Sequence, residues 1–163
     1  MNDAVMRILP SDGPNADLGP NAELYGRLIG SWDIDNDQYE EASGTWRRTQ
    51  RECHFRWVLD GRVVQDLWGS PTEGFGTTVR AYDSTLDAWR VHWFGPGTAS
   101  FCVLMGRADD DDIMQEGTQE DGRPIRWTIV DIKPDSFLWR GEISDDDGQT
   151  WRLDQEMHAR RRT

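Results

Sequence analysis

An Asp-Gly pair at positions 60 and 61 stands between two runs that alternate in polarity, ECHFRWVL before it and RVVQDLW after it. No other local feature constrains the chain so tightly. A two-residue hairpin loop of type I′ needs positive φ at both central residues, and Asp-Gly adopts it readily. Such a loop sets the register: Val58 faces Val63, Trp57 faces Val64, Phe55 faces Asp66 and Cys53 faces Trp68. Directly opposed residues share one face of a sheet. One face therefore carries Cys53, Phe55, Trp57, Val64, Asp66 and Trp68. It reads as the interior of a barrel or sandwich that contains one carboxylate. The other face carries Glu52, His54, Arg56, Val58, Val63, Gln65 and Leu67.

The same period of two runs through the chain from Ser31 onward. Trp32 and Ile34 alternate with Asp33 and Asp35. Further strands are expected over residues 76–82, 88–94, 99–107, 113–119, 124–133, 136–144 and 150–160. Gly, Pro and Asp clusters separate them, among them Gly95-Pro96-Gly97, Asp121-Gly122 and Pro134-Asp135. The expected inward residues are Trp89, Val91 and Trp93, then Phe101, Val103 and Met105. Ile125, Trp127 and Ile129 follow, then Phe137, Trp139 and Ile143, and last Trp151, Leu153 and Met157. Arg152, Asp154, Glu156 and His158 are expected outside. A short helix is expected over residues 22–28, capped by Asn21, with Leu24, Tyr25 and Leu28 on one side. About ten meandering strands and one short helix make an all-β chain, an antiparallel up-and-down β-barrel. Closure also removes exposed sheet edges. Residues 1–20, rich in Pro, Gly, Asn and Asp, read as a flexible N-terminal arm, and residues 21–163 as a single β-barrel domain.

Composition narrows the functions. The chain has 163 residues, nine Trp and a formal net charge of −12. That charge disfavours nucleic acid and anionic membrane as partners, since both call for basic patches. No apolar run is long enough to span a membrane, and the N-terminus lacks the apolar core of a signal peptide. The expectation is a cytoplasmic protein in which Cys53 and Cys102 stay reduced. Their spacing matches no metal motif, and no cofactor is expected.

A short helix followed by Gly30-Ser31-Trp32 resembles the Gly-x-Trp start of lipocalins and other calycin barrels. The resemblance implies that Trp32 sits at the closed end beneath an Arg from the last strand, Arg160 or Arg161. More closely, LIGSW, LDGR, AYDSTLDAW and SDDDGQTW resemble a group of uncharacterised bacterial lipocalin-like, calycin-type β-barrel domains. The second Gly of the haem-binding nitrobindin pattern is absent, with Ile34 in its place, which counts against haem. The segment from Ser144 to Trp151 also resembles the Asp-box of sialidases. It implies a structural turn tied by Asp146 and Thr150, with Trp151 beneath it.

The expected function is binding of a small, mostly hydrophobic or aromatic ligand inside the barrel. The expected lining is Phe55, Trp57, Asp66, Trp68, Trp89, Trp93, Phe101, Met105, Trp127 and Trp139. Asp66 is the sharpest candidate, because an unpaired carboxylate on an apolar face is costly. It is paired (with Arg48, for instance), functional, or turned outside by a register slip. A cofactor-free enzyme, a cyclase, isomerase or hydrolase, is the alternative. It would use Asp66 with His92 or Tyr82 for proton transfer. A third reading is haem or nitric oxide binding through a His. A homodimer is left open.

Overall fold

A computed structural model describes residues 3–163. A short helix α1 (Ala4–Ile8) leads into a two-residue strand β1 (Pro10–Ser11), a 3-10 helix (Ala16–Ala22) and one turn of α-helix, α2 (Glu23–Gly26). Ten long strands follow: β2 (Gly30–Glu40), β3 (Thr45–Val58), β4 (Val63–Ser70), β5 (Gly74–Asp83) and β6 (Ala88–Gly95). Then come β7 (Ser100–Asp109), β8 (Asp112–Gln119), β9 (Pro124–Val130), β10 (Ser136–Ile143) and β11 (Arg152–Arg161). Each pairs antiparallel with its neighbours in sequence, and β11 returns to β2, with Arg161 opposite Trp32. The result is a closed, ten-stranded up-and-down barrel of lipocalin-like architecture.

The hairpin that the Asp-Gly pair predicts is present with the expected register. Val58 lies opposite Val63, Phe55 opposite Asp66 and Cys53 opposite Trp68. The turn carries positive φ at Asp60 (62°) and Gly61 (72°). Gly61 is also required for space, because a Cβ there would collide with the backbone at Gly13 and Asn15.

Much of the segment expected as a flexible arm is tied to the barrel from Leu9 onward. β1 pairs with the end of β3, Leu59 N donates to Leu9 O at 2.9 Å, and Asn15 N donates to Gly61 O at 2.9 Å. Leu18 is buried. These attachments use backbone groups and short polar side chains, which leave no hydrophobic period to read. The expected helix is present as the single α-turn Glu23–Gly26, within residues 22–28, but Asn21 does not cap it. Asn15, not Asn21, caps a helical turn, its side chain accepting from Asp17 N at 3.0 Å.

The helices and the turns after β3, β5, β7 and β9 close one end of the barrel. Tyr25 and Leu28 are fully buried there. Trp32 donates from Nε1 to Leu28 O at 2.8 Å and meets Phe137 edge-on at 4.6 Å. Arg161, not Arg160, covers Trp32, its guanidinium carbon 4.1 Å from the ring centroid. It also donates to the carbonyls of Ile29 and Pro134. Arg160 pairs outside with Asp35 at 2.7 Å.

The turns after β2, β4, β6, β8 and β10 ring the opposite, open end. Ions tie several of them together: Arg123 reaches Glu41 at 2.8 Å and Asp145 at 2.9 Å, and Arg152 reaches Glu41 at 2.7 Å. The Asp-box turn is built as the resemblance implies, with Asp146 accepting from Thr150 N at 2.7 Å and from Thr150 Oγ1 at 2.6 Å. Trp151 does not plug a layer beneath it. It packs against Arg126, whose guanidinium carbon lies 4.3 Å from the ring centroid.

Candidate functional site

The open half of the barrel holds a cavity of about 490 Å³. That is within the range of about 300–1,000 Å³ found for small-molecule pockets. Alternation along each strand decides what faces it. Trp68 comes from β4 and Trp93 from β6, and their rings meet edge-on at 6.1 Å. Trp127 from β9 and Trp139 from β10 form a second edge-on pair at 6.0 Å. In the ring of strands the two pairs lie on opposite sides. The Trp93 ring occupies the space beside Gly76, where a Cβ would collide with it. Its Nε1 donates to Ser100 Oγ at 3.3 Å. Ile125, Ile143 and Met157 complete the apolar wall.

Nearer the mouth the wall turns polar. β2 contributes Asn36 and Gln38, β3 contributes Arg47 and Arg51, and β11 contributes Asp154 and Gln155. Asn36 Oδ1 accepts from Gln155 Nε2 at 2.7 Å, and Gln38 Nε2 donates to Asp154 Oδ2 at 3.0 Å. Burial pushes the Asp154 carboxyl above the usual carboxylate range, opposed by the hydrogen bond from Gln38. Asp154 was expected outside. The β10–β11 register shifts at Gly141/Glu142, leaving Asp154 as the extra residue of a bulge that turns it toward the cavity.

Beneath the cavity lies a fully buried polar cluster. Asp66 Oδ2 accepts from Arg80 Nη1 at 2.7 Å, and Asp66 Oδ1 accepts from Thr78 N at 3.0 Å. Both side chains are 0% exposed. Tyr25 OH donates to Gln115 Oε1 at 3.0 Å, and Arg80 Nε reaches the same oxygen at 3.5 Å. The guanidinium carbon sits 5.2 Å from the Tyr25 ring centroid, 5.3 Å from Phe55 and 5.7 Å from Trp139. Burial raises the Tyr25 phenol well above its ordinary range, with Arg80 opposing. Thr78 and Trp139 also line the cavity, so this cluster is its floor. The partner of Asp66 is thus Arg80, while Arg48 pairs outside with Asp37 at 2.6 Å.

The expected lining residues divide into three groups. Trp68, Trp93, Trp127 and Trp139 line the cavity. Phe55, Trp57, Trp89 and Asp66 are buried below it, where Tyr25 and Leu28 fill the closed half; Trp89 meets Tyr25 edge-on at 5.1 Å. Phe101 and Met105 are corrected outright. They lie on the outer face of β7, while Cys102 and Leu104 face inward. Every residue from Phe101 to Met105 is apolar, so alternation alone could not choose the face. Register chose it, by placing Cys102 opposite the inward Trp93.

The proposed proton-transfer residues do not converge. Tyr82 OH donates to Asp87 at 2.6 Å near the closed end. His92 is on the outer face, stacked on Phe94 at 6.4 Å. Asp66 is inside and paired. His54 and His158 bond Ser31 and Glu156. No His lines the cavity, and no group of three or more His, Cys, Asp or Glu among the described residues is arranged to hold a metal. Cys53 and Cys102 are free and buried. Desolvation raises both thiols, Cys102 to about 11.

The residues that sequence reasoning missed are Arg80, Gln115, Arg51 and Asp154. For Arg51 a signal existed: it continues the inward series Cys53, Phe55, Trp57 by two residues.

No protein-family model matches the chain, and no curated protein matches it. Solved structures share its fold, among them the following two. The S-type phycobiliprotein lyase CPES from Guillardia theta superposes with a TM-score of 0.61 at 14% identity, covering 86% of this chain and 92% of that one. Rv2717c from M. tuberculosis superposes with a TM-score of 0.56 at 13% identity, covering 90% of this chain and all of that one. At such identities the likeness is one of fold, and the chain is a lipocalin-like barrel.

Proposed function

We propose that this barrel binds a small, largely aromatic or hydrophobic ligand in its open half. The observation that carries the reading is the cavity itself, about 490 Å³ walled by two opposed edge-on Trp pairs. Barrels that are meant only to pack fill their interior with side chains, as the closed half does here. Tryptophan faces offer a ligand large apolar area with little side-chain entropy to lose. The polar mouth then orients whatever part of the ligand stays wet.

The enzymatic alternative has less support. Its three residues point into the interior, toward the closed end and to the outer surface, and proton transfer needs donor and acceptor within hydrogen-bond reach. The haem reading lacks an inward His. Fold likeness carries no substrate to this chain.

The test uses phenylnaphthylamine, a neutral fluorophore that brightens in apolar surroundings. It is expected to bind the native protein at one site per chain. Gly141 supplies the control. It faces the cavity, and a Cβ built there meets only ordinary contacts, 3.4 Å from Gln155 and 3.7 Å from Trp127. Gly141→Leu is therefore expected to project an isobutyl group into the cavity and take up part of the ligand space. Dye affinity should fall by at least about tenfold, a loss of about 1.4 kcal/mol. Undiminished binding in that variant, or no binding to the native protein, would sink the reading.

A further inference from the structure

The mouth of the cavity is not neutral in its donors and acceptors. Arg51 belongs to the inward face of β3 and lines the cavity, and its side chain is 9% exposed. A guanidinium stays charged in any protein environment, so a buried one needs a counter-charge. Its counter-charge is Glu73, on the turn between β4 and β5, whose side chain is 50% exposed. The ion pair thus joins a fixed, buried cation to a carboxylate anchored on a short exposed turn. Arg47, two turns of the pleat nearer the rim, lies 4.0 Å from the same carboxylate and 2.7 Å from Glu40.

A second observation lies beside the first. The Arg51 guanidinium carbon is 5.8 Å from the ring centroid of Trp68, and Trp68 Nε1 is buried with no hydrogen-bond partner. A buried indole N–H normally finds an acceptor. The other carboxylates lining the cavity, Asp154 and Glu142, take their hydrogen bonds from Gln38 and Arg152 and from Arg126, and make none to Arg51. One patch of the wall therefore offers a cation and an unused N–H donor, and its acceptor is a surface side chain able to leave.

We infer that the ligand carries an anionic oxygen group, a carboxylate or its equivalent, which takes the place of Glu73 on Arg51 while its aromatic body lies among the tryptophans. This rests on the ligand-binding reading of the same cavity. It also runs against the protein's gross charge. At a net charge of −12 an anion is repelled at long range, but salt screens that field over about 8 Å under physiological conditions. The local guanidinium, at hydrogen-bonding distance, is not screened in this way, and charge-assisted hydrogen bonds are roughly twice as strong as neutral ones.

The experiment compares anthracenecarboxylate with anthracenemethanol, two fluorophores that share an aromatic body and differ in charge. Binding is followed by quenching of protein tryptophan at neutral pH and physiological salt. The acid is expected to bind at least about tenfold more tightly than the alcohol. Arg51→Met should abolish that preference, the acid losing at least about tenfold more affinity than the alcohol. Glu73→Gln removes the competitor and should tighten acid binding alone; because it strips Arg51 of its counter-charge, urea denaturation of the variant is measured alongside to establish that it stays folded. Equal binding of acid and alcohol to the native protein overturns the inference and leaves the cavity reading standing. A preference that survives Arg51→Met, or acid binding that weakens in Glu73→Gln, does the same. Binding of neither fluorophore overturns both.

Discussion

Asp66→Asn is expected to destabilise the fold by about 3–5 kcal/mol, the usual result of stripping one partner from a buried ion pair. Shape is nearly conserved, so packing contributes little. The loss comes from Arg80, whose charge remains in an interior where both side chains are 0% exposed. Three aromatic faces surround the guanidinium, and they soften the penalty without replacing a counter-charge. For a domain of this length the melting temperature should fall by roughly 6–20 °C. A companion variant separates charge from geometry. In the double variant Asp66→Asn with Arg80→Met neither partner is charged, and much of the lost stability should return. The cycle should therefore show a coupling of more than about 1 kcal/mol between the two sites. Thermal and urea denaturation of the four proteins makes the comparison. A single Asp66→Asn variant as stable as the parent would mean that the carboxylate does not balance Arg80, and the account of the cavity floor would fall.

The second large effect belongs to the opposite end. Trp32→Ala should cost about 3–5 kcal/mol, the range for deleting a buried large aromatic. Trp32 is fully buried, and it is held by its hydrogen bond to Leu28 O, by Phe137 and by Arg161. Removing it opens a void and leaves the Leu28 carbonyl without its indole donor. Arg161→Ala removes the cation–π cover, worth about 0.5–2 kcal/mol, together with the hydrogen bonds to the Ile29 and Pro134 carbonyls, and should still cost less than Trp32→Ala. Arg160→Ala breaks a surface pair with Asp35 and should change stability by less than about 1 kcal/mol. Urea midpoints are expected to fall in that order. Because the cavity is at the far end, folded Trp32→Ala protein should bind phenylnaphthylamine about as well as the parent does. A collapse of dye binding at native-like stability would show that the two halves of the barrel are not separable as described.

The outer surface of the barrel is uneven. β2 and the last strand with the residue after it carry ladders, Asp35–Arg160 at 2.7 Å and Asp33–Arg162 at 2.6 Å. On β4 to β7, Leu67, Phe75, Phe94, Phe101 and Val103 are exposed instead. On β7 this unevenness hides which face is the inner one. Apolar residues on both faces of a strand erase the alternation that marks the inside, and only pairing with β6 restores it.

What the sequence determined by itself is local and periodic. The Asp-Gly turn and the runs flanking it specify the β3–β4 register and hence the inward set Cys53, Phe55, Trp57, Asp66 and Trp68. A one-residue slip would have turned every one of these to water, so the register is strongly defined. Strand number was legible for similar reasons, whereas the cover of Trp32 by an Arg of the last strand was implied only by the resemblance to calycin barrels, and the structure chose Arg161. What only the tertiary structure decided depends on elements far apart in the chain. Arg80 meets Asp66 because Thr78 lies opposite Asp66, which sets Arg80 on the diagonal across β4 and β5. No periodicity announces that register across a Gly-rich turn. Asp154 enters the cavity through one extra residue in β11, and a bulge of that kind reverses a face without any mark in the polarity pattern. How deep the cavity runs was settled by Tyr25 and Leu28, which fill the closed half and confine ligand space to the end where the tryptophan pairs and Arg51 stand.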